Sequence, residues 1–188
     1  MMNTHDRQEF DQFLRRQARL LAAEGLRALG MVYDQVGPRI VRYVRAIVRH
    51  HDDAEDVLQA TLLKLMKHPE ALSRAEHPWA YLLRIARNEA LTLLDRQKSI
   101  DLLSSFPDID VSTHDVCWQI DLGDAVAAAL QHLPPNQKEV IVLKIWEDLT
   151  FLEIASILGE SPNTVASRYR YALEKLEHLL ESSRQHKP

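Results

Sequence analysis

The feature that most constrains this chain is a break between two helical patterns at Gly159. Thr150 and Glu153 have the Thr-x-x-Glu spacing of a capping box, which predicts that a helix begins there. Gly159 follows the last apolar residue of this helix. Many helices end with a residue in the left-handed conformation, which glycine adopts at little energetic cost. The apolar residues between these signals repeat at helical spacing and are predicted to face inward: Phe151, Ile154, Ala155 and Leu158.

A second helix is predicted to begin only three residues after the first one ends. Ser161 is a favourable N-cap, and Pro162 suits the first helical position, where its missing N–H costs nothing. Two helices joined by such a turn form a helix-turn-helix, whose second helix typically enters the major groove of DNA. An ordinary helical hairpin with a solvated face is the alternative interpretation. The predicted DNA-contacting residues on the exposed side are Asn163, Thr164, Ser167, Arg168 and Arg170, and the predicted inward residues are Val165, Ala172, Leu173 and Leu176.

Charge is distributed unevenly across this motif. The second helix carries two arginines and no acidic residue between Ser161 and Tyr171. This asymmetry predicts that the second helix meets phosphates and base edges while the first helix points away from DNA. The acidic residues on the first helix and its flanks are Glu147, Asp148, Glu153 and Glu160.

The overall composition predicts an all-α protein. The 188 residues include only 5 glycines and are rich in Leu, Ala, Arg and Glu, which favour helices. No apolar run approaches the roughly 20 residues of a membrane-spanning helix, and the first 16 residues do not resemble a secretory signal. Cys117 is the only cysteine, which excludes an intrachain disulfide and suits a reducing cytoplasm. We therefore expect a cytoplasmic protein that is not inserted in a membrane.

The charge pattern divides the chain into two small helical domains. Residues 30–98 carry 11 basic and 9 acidic residues, whereas residues 99–132 carry 6 acidic residues and no Lys or Arg. The acidic stretch also contains Ser, Thr and Pro, which is typical of a linker. The predicted organisation is an N-terminal helical extension (1–27), a first domain (28–96), an acidic linker (97–119), a second domain (120–182) and a tail (183–188).

Three helices are predicted in the first domain, at residues 31–49, 52–67 and 78–98. The Gly37-Pro38 pair is expected to kink or split the first of these helices. Asp52 and Glu55 are predicted to cap the second. The third places cations and an amide beside aromatic rings, a combination that suits single-stranded nucleic acid, with cations on phosphates and rings on unstacked bases. The residues of this predicted site are Trp79, Tyr81, Arg84, Arg87 and Asn88, although Trp79 as an ordinary core residue is an equal alternative.

The remaining parts of the chain give weaker signals. An amphipathic helix is predicted in the extension from Phe10, Phe13, Leu14, Leu21 and Leu26, and it either covers the first domain or contacts a regulator. No metal site is expected, because neither the run from His50 to Asp52 nor the pair His114 and Cys117 supplies a complete ligand set. No cofactor motif or catalytic arrangement is apparent, so we do not expect an enzyme.

Two segments of the chain resemble one known family. The sequence Asp53-Ala-Glu-Asp-Val-Leu-Gln59, followed by Trp79-Ala-Tyr-Leu-Leu-Arg-Ile-Ala-Arg-Asn88, is similar to domain two of the extracytoplasmic-function (ECF) sigma factors. The sequence Leu133-Pro-Pro-Asn-Gln-Lys-Glu-Val-Ile-Val-Leu-Lys-Ile-Trp-Glu147, running into the helix-turn-helix, is similar to domain four of the same family. Both segments occur in the family's order and with its spacing.

The resemblance implies a non-catalytic promoter-specificity subunit of bacterial RNA polymerase. It implies that Asp56, Gln59 and Leu63 dock on the clamp coiled coil of the polymerase's largest subunit. The third helix and the preceding segment, residues 68–77, would capture unpaired bases of the −10 promoter element. The recognition helix would bind the −35 element, the acidic linker would thread into the polymerase channels, and an anti-sigma factor is a further candidate partner. A stand-alone helix-turn-helix regulator that binds duplex DNA as a dimer is the alternative.

Overall fold

The computed structural model describes residues 4–48, 50–103 and 124–185. These residues form helices and connecting turns, and no strand occurs among them. The elements in chain order are α1 (Thr4–Glu24), α2 (Leu26–Val44), α3 (His51–Lys67), α4 (Pro69–Arg74), α5 (Pro78–Leu103), α6 (Asp124–Gln131), α7 (Pro135–Ile141), a π-helical turn (Val142–Trp146), α8 (Phe151–Leu158) and α9 (Pro162–Gln185). We refer to residues 4–103 as the N-terminal lobe and to residues 124–185 as the C-terminal lobe.

Helix α1 packs along the N-terminal lobe, against α2 and α4. Its apolar face is buried through Leu14, Ala18 and Leu21. Gly25 separates α1 from α2 at a φ of 60°, a conformation that glycine adopts without a steric penalty. Leu26 begins α2 and is 72% exposed, so the prediction that Leu26 belongs to the apolar face of the extension was wrong.

Helix α2 differs from its predicted bounds at both ends and is continuous through Pro38. Pro38 is exposed, so the carbonyl group left without a helical partner by the missing N–H can be solvated. The helix ends at Val44 instead of residue 49, because the backbone tightens into a turn in which the Ile47 N–H donates to the Val44 carbonyl at 2.8 Å.

Helix α3 lacks the predicted capping box. The helix begins one residue earlier, at His51, and no side chain caps it. Asp52 and Asp53 consequently lie in its first turn, where their charges complement the helix dipole. Asp53 also accepts a hydrogen bond from the Gln97 amide of α5 at 3.1 Å, which joins the two helices.

Helix α5 continues to Leu103, past the predicted start of the linker at residue 97. The contact of Gln97 with Asp53 holds this part of the helix against α3, and no Gly or Pro interrupts the chain before Pro107. The remainder of the predicted linker, with His114 and Cys117, lies outside the described residues. At the other end of the chain, α9 continues to Gln185, three residues into the predicted tail.

The C-terminal lobe contains the helix-turn-helix in α8 and α9. The predicted capping box is formed: the Thr150 hydroxyl accepts from the Glu153 N–H at 3.3 Å, and the Glu153 carboxylate accepts from the Thr150 N–H at 2.8 Å. Gly159 is left-handed with a φ of 72°, as its position after the last apolar residue predicts. Ser161 caps α9 by accepting from the Thr164 N–H at 3.1 Å.

The two lobes pack against each other through α5 and α8. One apolar core runs from Leu14 and Trp79 in the N-terminal lobe to Leu143 and Ile154 in the C-terminal lobe. A second, smaller core lies wholly within the C-terminal lobe, where α6, α7 and α9 meet. The first half of the helix-turn-helix therefore lies at the boundary between the lobes, and the second half faces outward.

Candidate nucleic-acid interface

The N-terminal half of α9 presents a polar surface. Asn163, Thr164 and Arg170 are exposed, and Ser167 is partly buried. The side chain of Arg168 is 27% exposed to solvent. It forms an ion pair with Glu160 at 2.7 Å, which holds the guanidinium beside the turn. The five residues predicted to contact duplex DNA thus lie in the first half of one helix, none of them in the core.

Helix α9 is oriented by apolar contacts with its neighbours. Val165 and Ala172 are fully buried, and the ring of Tyr169 lies 5.6 Å from that of Phe151 in α8. Leu173 is 40% exposed, so its predicted inward position was wrong. The neighbouring Ala172 already occupies the position that faces the small core of the C-terminal lobe.

Helix α5 carries the predicted single-strand site, and its residues fall into two groups. Arg84 and Asn88 are exposed, and the Arg84 guanidinium lies 5.4 Å from the centre of the Tyr81 ring. Trp79 and Arg87 face the C-terminal lobe instead. The structure therefore leaves only Tyr81, Arg84 and Asn88 of this site accessible when the lobes are in contact.

Trp79 is 1% exposed and is enclosed by both lobes. Its ring meets Phe10 of α1 edge-on at 5.4 Å, and the Arg39 guanidinium lies 4.3 Å from its centre. The indole N–H donates to Glu147 of the C-terminal lobe at 3.1 Å, and the backbone N–H donates to Asp11 at 2.9 Å. In this arrangement Trp79 is a packing residue, which is the second of its two predicted interpretations.

Three acidic residues of the C-terminal lobe are buried against basic residues of the N-terminal lobe. Glu139 accepts from Arg87 Nε at 2.9 Å, and Glu147 accepts from Arg39 Nη2 at 2.7 Å. Glu153 forms an ion pair with Arg7 of α1. Glu147 and Glu153, two of the acidic residues on the first helix of the motif and its flanks, are therefore held by cations of the N-terminal lobe. Their sequence context contains no signal for these contacts, because the partners lie more than 100 positions away.

The segment 68–77, which was predicted to capture unpaired bases, is partly helical and is held by contacts with α1. It contains α4, which packs against α1, and Arg15 of α1 donates to the carbonyl groups of Ala75 and Glu76 at 3.1 and 2.7 Å. Helix α1 therefore covers one side of the segment that was predicted to meet unpaired bases. His77 at the end of the segment lies 3.4 Å from the Glu153 carboxylate.

The residues predicted to bind polymerase lie on the outer side of α3. Asp56 and Gln59 are exposed, and Leu63 is 58% exposed one turn later. The opposite side of the same helix is buried through Val57, Leu58, Thr61, Leu62 and Leu65. The three residues consequently form one accessible surface, separate from the contact between the lobes.

The described ranges contain neither a membrane-spanning helix nor a cluster of metal-ligating side chains. Among residues 4–48, 50–103 and 124–185, no helix is both long enough and apolar enough to cross a membrane. Over the same ranges, no three side chains of His, Cys, Asp or Glu gather in a geometry that could hold a metal ion.

Comparison with known proteins gives a consistent result for both lobes. Residues 32–100 match the family description Sigma-70 region 2, and residues 123–176 match Sigma-70, region 4. The chain is 30% identical over 135 residues to RNA polymerase sigma factor SigV of Bacillus subtilis, a match covering 71% of this chain and 79% of SigV. It is 31% identical over 145 residues to RNA polymerase sigma factor CarQ of Myxococcus xanthus, covering 76% and 83% of the two chains.

A solved structure has the same fold. The sigma factor RpoE of Bartonella quintana, crystallised with the anti-sigma factor NepR, superimposes with a TM-score of 0.64 at 21% identity, covering 81% of this chain and 96% of RpoE. Two matched regions in the family's order, together with relatives that align over most of their length, lead to one assignment. The chain belongs to the extracytoplasmic-function sigma factors of bacterial RNA polymerase.

Proposed function

We propose that this chain binds core RNA polymerase and directs promoter recognition, DNA opening and transcription initiation. The observation that carries the proposal is the presence, in one chain, of an accessible recognition helix in the region-4 match and an accessible polar and aromatic surface on α5 in the region-2 match. The chain would act in the cytoplasm and contribute no catalytic group of its own.

The recognition helix would bind the −35 element as duplex DNA. Asn163 and Arg168 are the strongest candidates for base contacts, since amide and guanidinium groups form bidentate hydrogen bonds with adenine and guanine edges. Thr164, Ser167 and Arg170 would position the helix on the phosphates. A good bidentate contact discriminates against a wrong base by about 1–3 kcal/mol, so each such contact would favour the matching promoter by about 5- to 150-fold.

Helix α5 would hold the non-template strand of the −10 element after it separates. Tyr81 supplies a ring for an unstacked base, and Arg84 and Asn88 supply polar groups beside it. Stacking of a base on an aromatic side chain contributes about 1–3 kcal/mol, which offsets part of the few kcal/mol lost on unstacking each base. Opening would then proceed without a fuel molecule. Trp79 and Arg87 would join this surface only where the C-terminal lobe does not cover them.

The outer side of α3 would bind the clamp coiled coil of the polymerase's largest subunit. Leu63 is a large apolar side chain that is 58% exposed, flanked by the polar groups of Asp56 and Gln59. An apolar residue within a polar rim is the usual composition of a protein interface. An anti-sigma factor is a further proposed partner, since the structurally similar RpoE was crystallised with one.

The domain organisation follows the same proposal. A polymerase- and −10-binding domain would occupy residues 28–96, and a −35-binding domain residues 120–182. The acidic linker was predicted at residues 97–119, of which residues 97–103 lie in α5. The part after α5 would thread along basic polymerase channels as nucleic acid does, because its charge has the same sign.

A co-elution experiment separates this proposal from the alternative of a stand-alone regulator. A sigma factor is expected to co-elute with core polymerase in size-exclusion chromatography and to shift free duplex DNA poorly. A dimeric regulator would shift a duplex operator without polymerase and would elute apart from the core enzyme. The second pattern would refute the proposal.

A further inference from the structure

We propose that α1 is part of the site that selects the bases of the −10 element. Its Asp11 and Arg15 hold the backbone of residues 75–79, the α4–α5 junction, in the shape that receives unpaired bases. Helix α1 precedes the region-2 match, which begins at residue 32. The inference deepens the proposed function and rests on it. Both residues are positioning residues, because they act through the backbone of the junction.

The α4–α5 junction has little support from its own sequence. Helix α4 has 6 residues, too few for a helix to be stable alone, and the chain leaves it at Ala75 in an extended conformation with a ψ of 136°. Helix α5 begins at Pro78, which has no N–H, so the N–H of Trp79 is the first that needs a partner outside the helix. His77 precedes Pro78 and is not among the residues that cap helices well.

Helix α1 supplies the missing partners at both ends of the junction. Arg15 Nη2 donates to the carbonyl groups of Ala75 and Glu76 at 3.1 and 2.7 Å. Asp11 Oδ1 accepts from the Trp79 N–H at 2.9 Å and so performs, from another helix, the role of an N-cap. Asp11 and Arg15 are four positions apart and lie on one face of α1. Three hydrogen bonds therefore fix the junction to a single helix.

The helix that holds the junction is itself anchored in the N-terminal lobe. Leu14 and Ala18 of α1 are buried, and α1 packs against α2 and α4. Asp11 is 8% exposed, and a carboxylate removed from water in this way retains its hydrogen bonds because losing them is costly. Asp11 and Arg15 form these three bonds within the N-terminal lobe alone, so they do not require contact with the C-terminal lobe.

The junction and the proposed −10 surface border the same space. A cavity of about 810 Å³ is lined by Glu76 and His77 of the junction, by Arg74 of α4, and by Tyr81 and Arg84 of α5. Helices α1 and α8 complete its wall. A base that stacks on Tyr81 in this cavity meets the side chains of the junction, so the position of the junction affects which bases fit.

A junction held in one conformation favours selective binding. A binding segment that is ordered in advance loses less conformational entropy when its ligand arrives, and a site discriminates well only when its groups are held close to the required geometry. Loss of the α1 contacts frees the junction to adjust to different bases. The expected defect is therefore a weaker preference for the correct −10 sequence, with recognition of the −35 element unchanged.

Transcription by core polymerase with the full-length chain tests the inference on a promoter identified from mapped start sites. The ratio of transcript yields from the intact −10 element and from single-base −10 variants measures the preference. Arg15→Ala and, separately, Asp11→Ala are expected to lower this ratio by at least about fivefold, the loss of one modest base contact. Arg15→Lys keeps a cationic donor and Asp11→Asn keeps a capping oxygen, so both are expected to recover most of the preference. Gln12→Ala and Arg16→Ala change exposed neighbours on α1 and are the matched controls.

A purely structural role of α1 predicts a different result. Arg15→Ala would then lower yields from all templates by the same factor, and an unchanged −10 ratio in a chain that initiates normally as wild type would overturn the inference alone. If circular dichroism shows that Arg15→Ala does not fold, the comparison of Asp11→Ala with Asp11→Asn decides by the same ratio. A wild-type chain that supports no initiation with core enzyme would refute the proposed function, and the inference with it.

Discussion

Arg39 donates two hydrogen bonds to Oε2 of Glu147, from Nε at 3.0 Å and Nη2 at 2.7 Å, although 108 positions separate the two residues. This pair joins the two regions by which the family is identified, and it does so beside Trp79, whose indole N–H donates to the same carboxylate oxygen. A side chain predicted to meet nucleic acid is thereby covered, while the recognition helix in the other lobe remains open. The two predicted DNA surfaces consequently differ in accessibility in the free chain.

Arg168→Ala is expected to weaken initiation at promoters with an intact −35 element. Loss of one good base contact of about 1–3 kcal/mol corresponds to a reduction of about 5- to 150-fold. The measurement is transcript yield from templates with intact and scrambled −35 elements. Lys175→Ala removes a cation from the exposed side of the same helix, two turns further on, and is expected to have little effect. An equal loss on both templates would exclude base recognition by Arg168.

Asp56→Ala combined with Gln59→Ala is expected to raise the Kd for core polymerase by at least about tenfold, because polar groups beside a buried apolar anchor orient an interface. The measurement is a binding isotherm with labelled chain and core enzyme. The pair Asp34→Ala and Gln35→Ala makes the same chemical changes on the exposed side of α2 and serves as the control. Identical isotherms for wild type and the α3 variant would place the polymerase-binding surface elsewhere.

Gly159→Ala is expected to destabilise the helix-turn-helix. The φ of 72° is left-handed, and an L-residue in that region costs about 1–2 kcal/mol. Gly30→Ala is the matched substitution: Gly30 lies inside α2 with open space around it, so alanine should stabilise the helix by about 0.5–1 kcal/mol. Urea denaturation measures both free energies of unfolding. Changes of the same sign in the free energies of unfolding of the two variants would contradict the role of the left-handed conformation at Gly159.

Stability at alkaline pH is expected to depend on Tyr43. Burial, and then the nearby Glu139 carboxylate, raises the pKa of the Tyr43 hydroxyl well above 10. The folded state therefore favours the neutral form, and this contribution is complete below pH 10 and is lost as pH rises above it. One such group adds a slope of up to about 1.4 kcal/mol per pH unit.

The measurement is the free energy of unfolding of wild type and Tyr43→Phe between about pH 9 and about pH 11. Wild type should lose stability more steeply than the variant across this range. Tyr171→Phe, which removes a half-exposed hydroxyl from α9, should retain the wild-type slope. Parallel curves for all three proteins would show that Tyr43 ionises as an ordinary tyrosine.

The helix-turn-helix could be predicted from sequence because its signals are local. Thr150 and Glu153 are three residues apart and satisfy each other's backbone groups, and Ser161 caps α9 through the N–H of Thr164. Such contacts need no knowledge of the remaining fold. Amphipathic spacing likewise indicates which side of α3 is buried, since the buried Val57 and Leu58 are followed one turn later by the buried Thr61 and Leu62.

The ends of other helices and the contact between lobes could not be predicted in this way. Helix α5 extends past residue 97 because Gln97 binds Asp53, 44 positions away, and α2 tolerates Pro38 because that residue faces solvent. Nothing near Glu147 in the sequence distinguishes a buried acceptor from an ordinary surface carboxylate. Its role depends on arginines brought to it by tertiary packing.

Transcription by purified core polymerase with this chain, on DNA of the genome that encodes it, tests the central claim most directly. Mapped 5′ ends are expected to fall at discrete sites whose upstream sequences share one motif near −10 and another near −35. These starts should be absent with core enzyme alone and should weaken with Arg168→Ala. Start sites that are identical with and without the chain would contradict its assignment as the subunit that selects promoters.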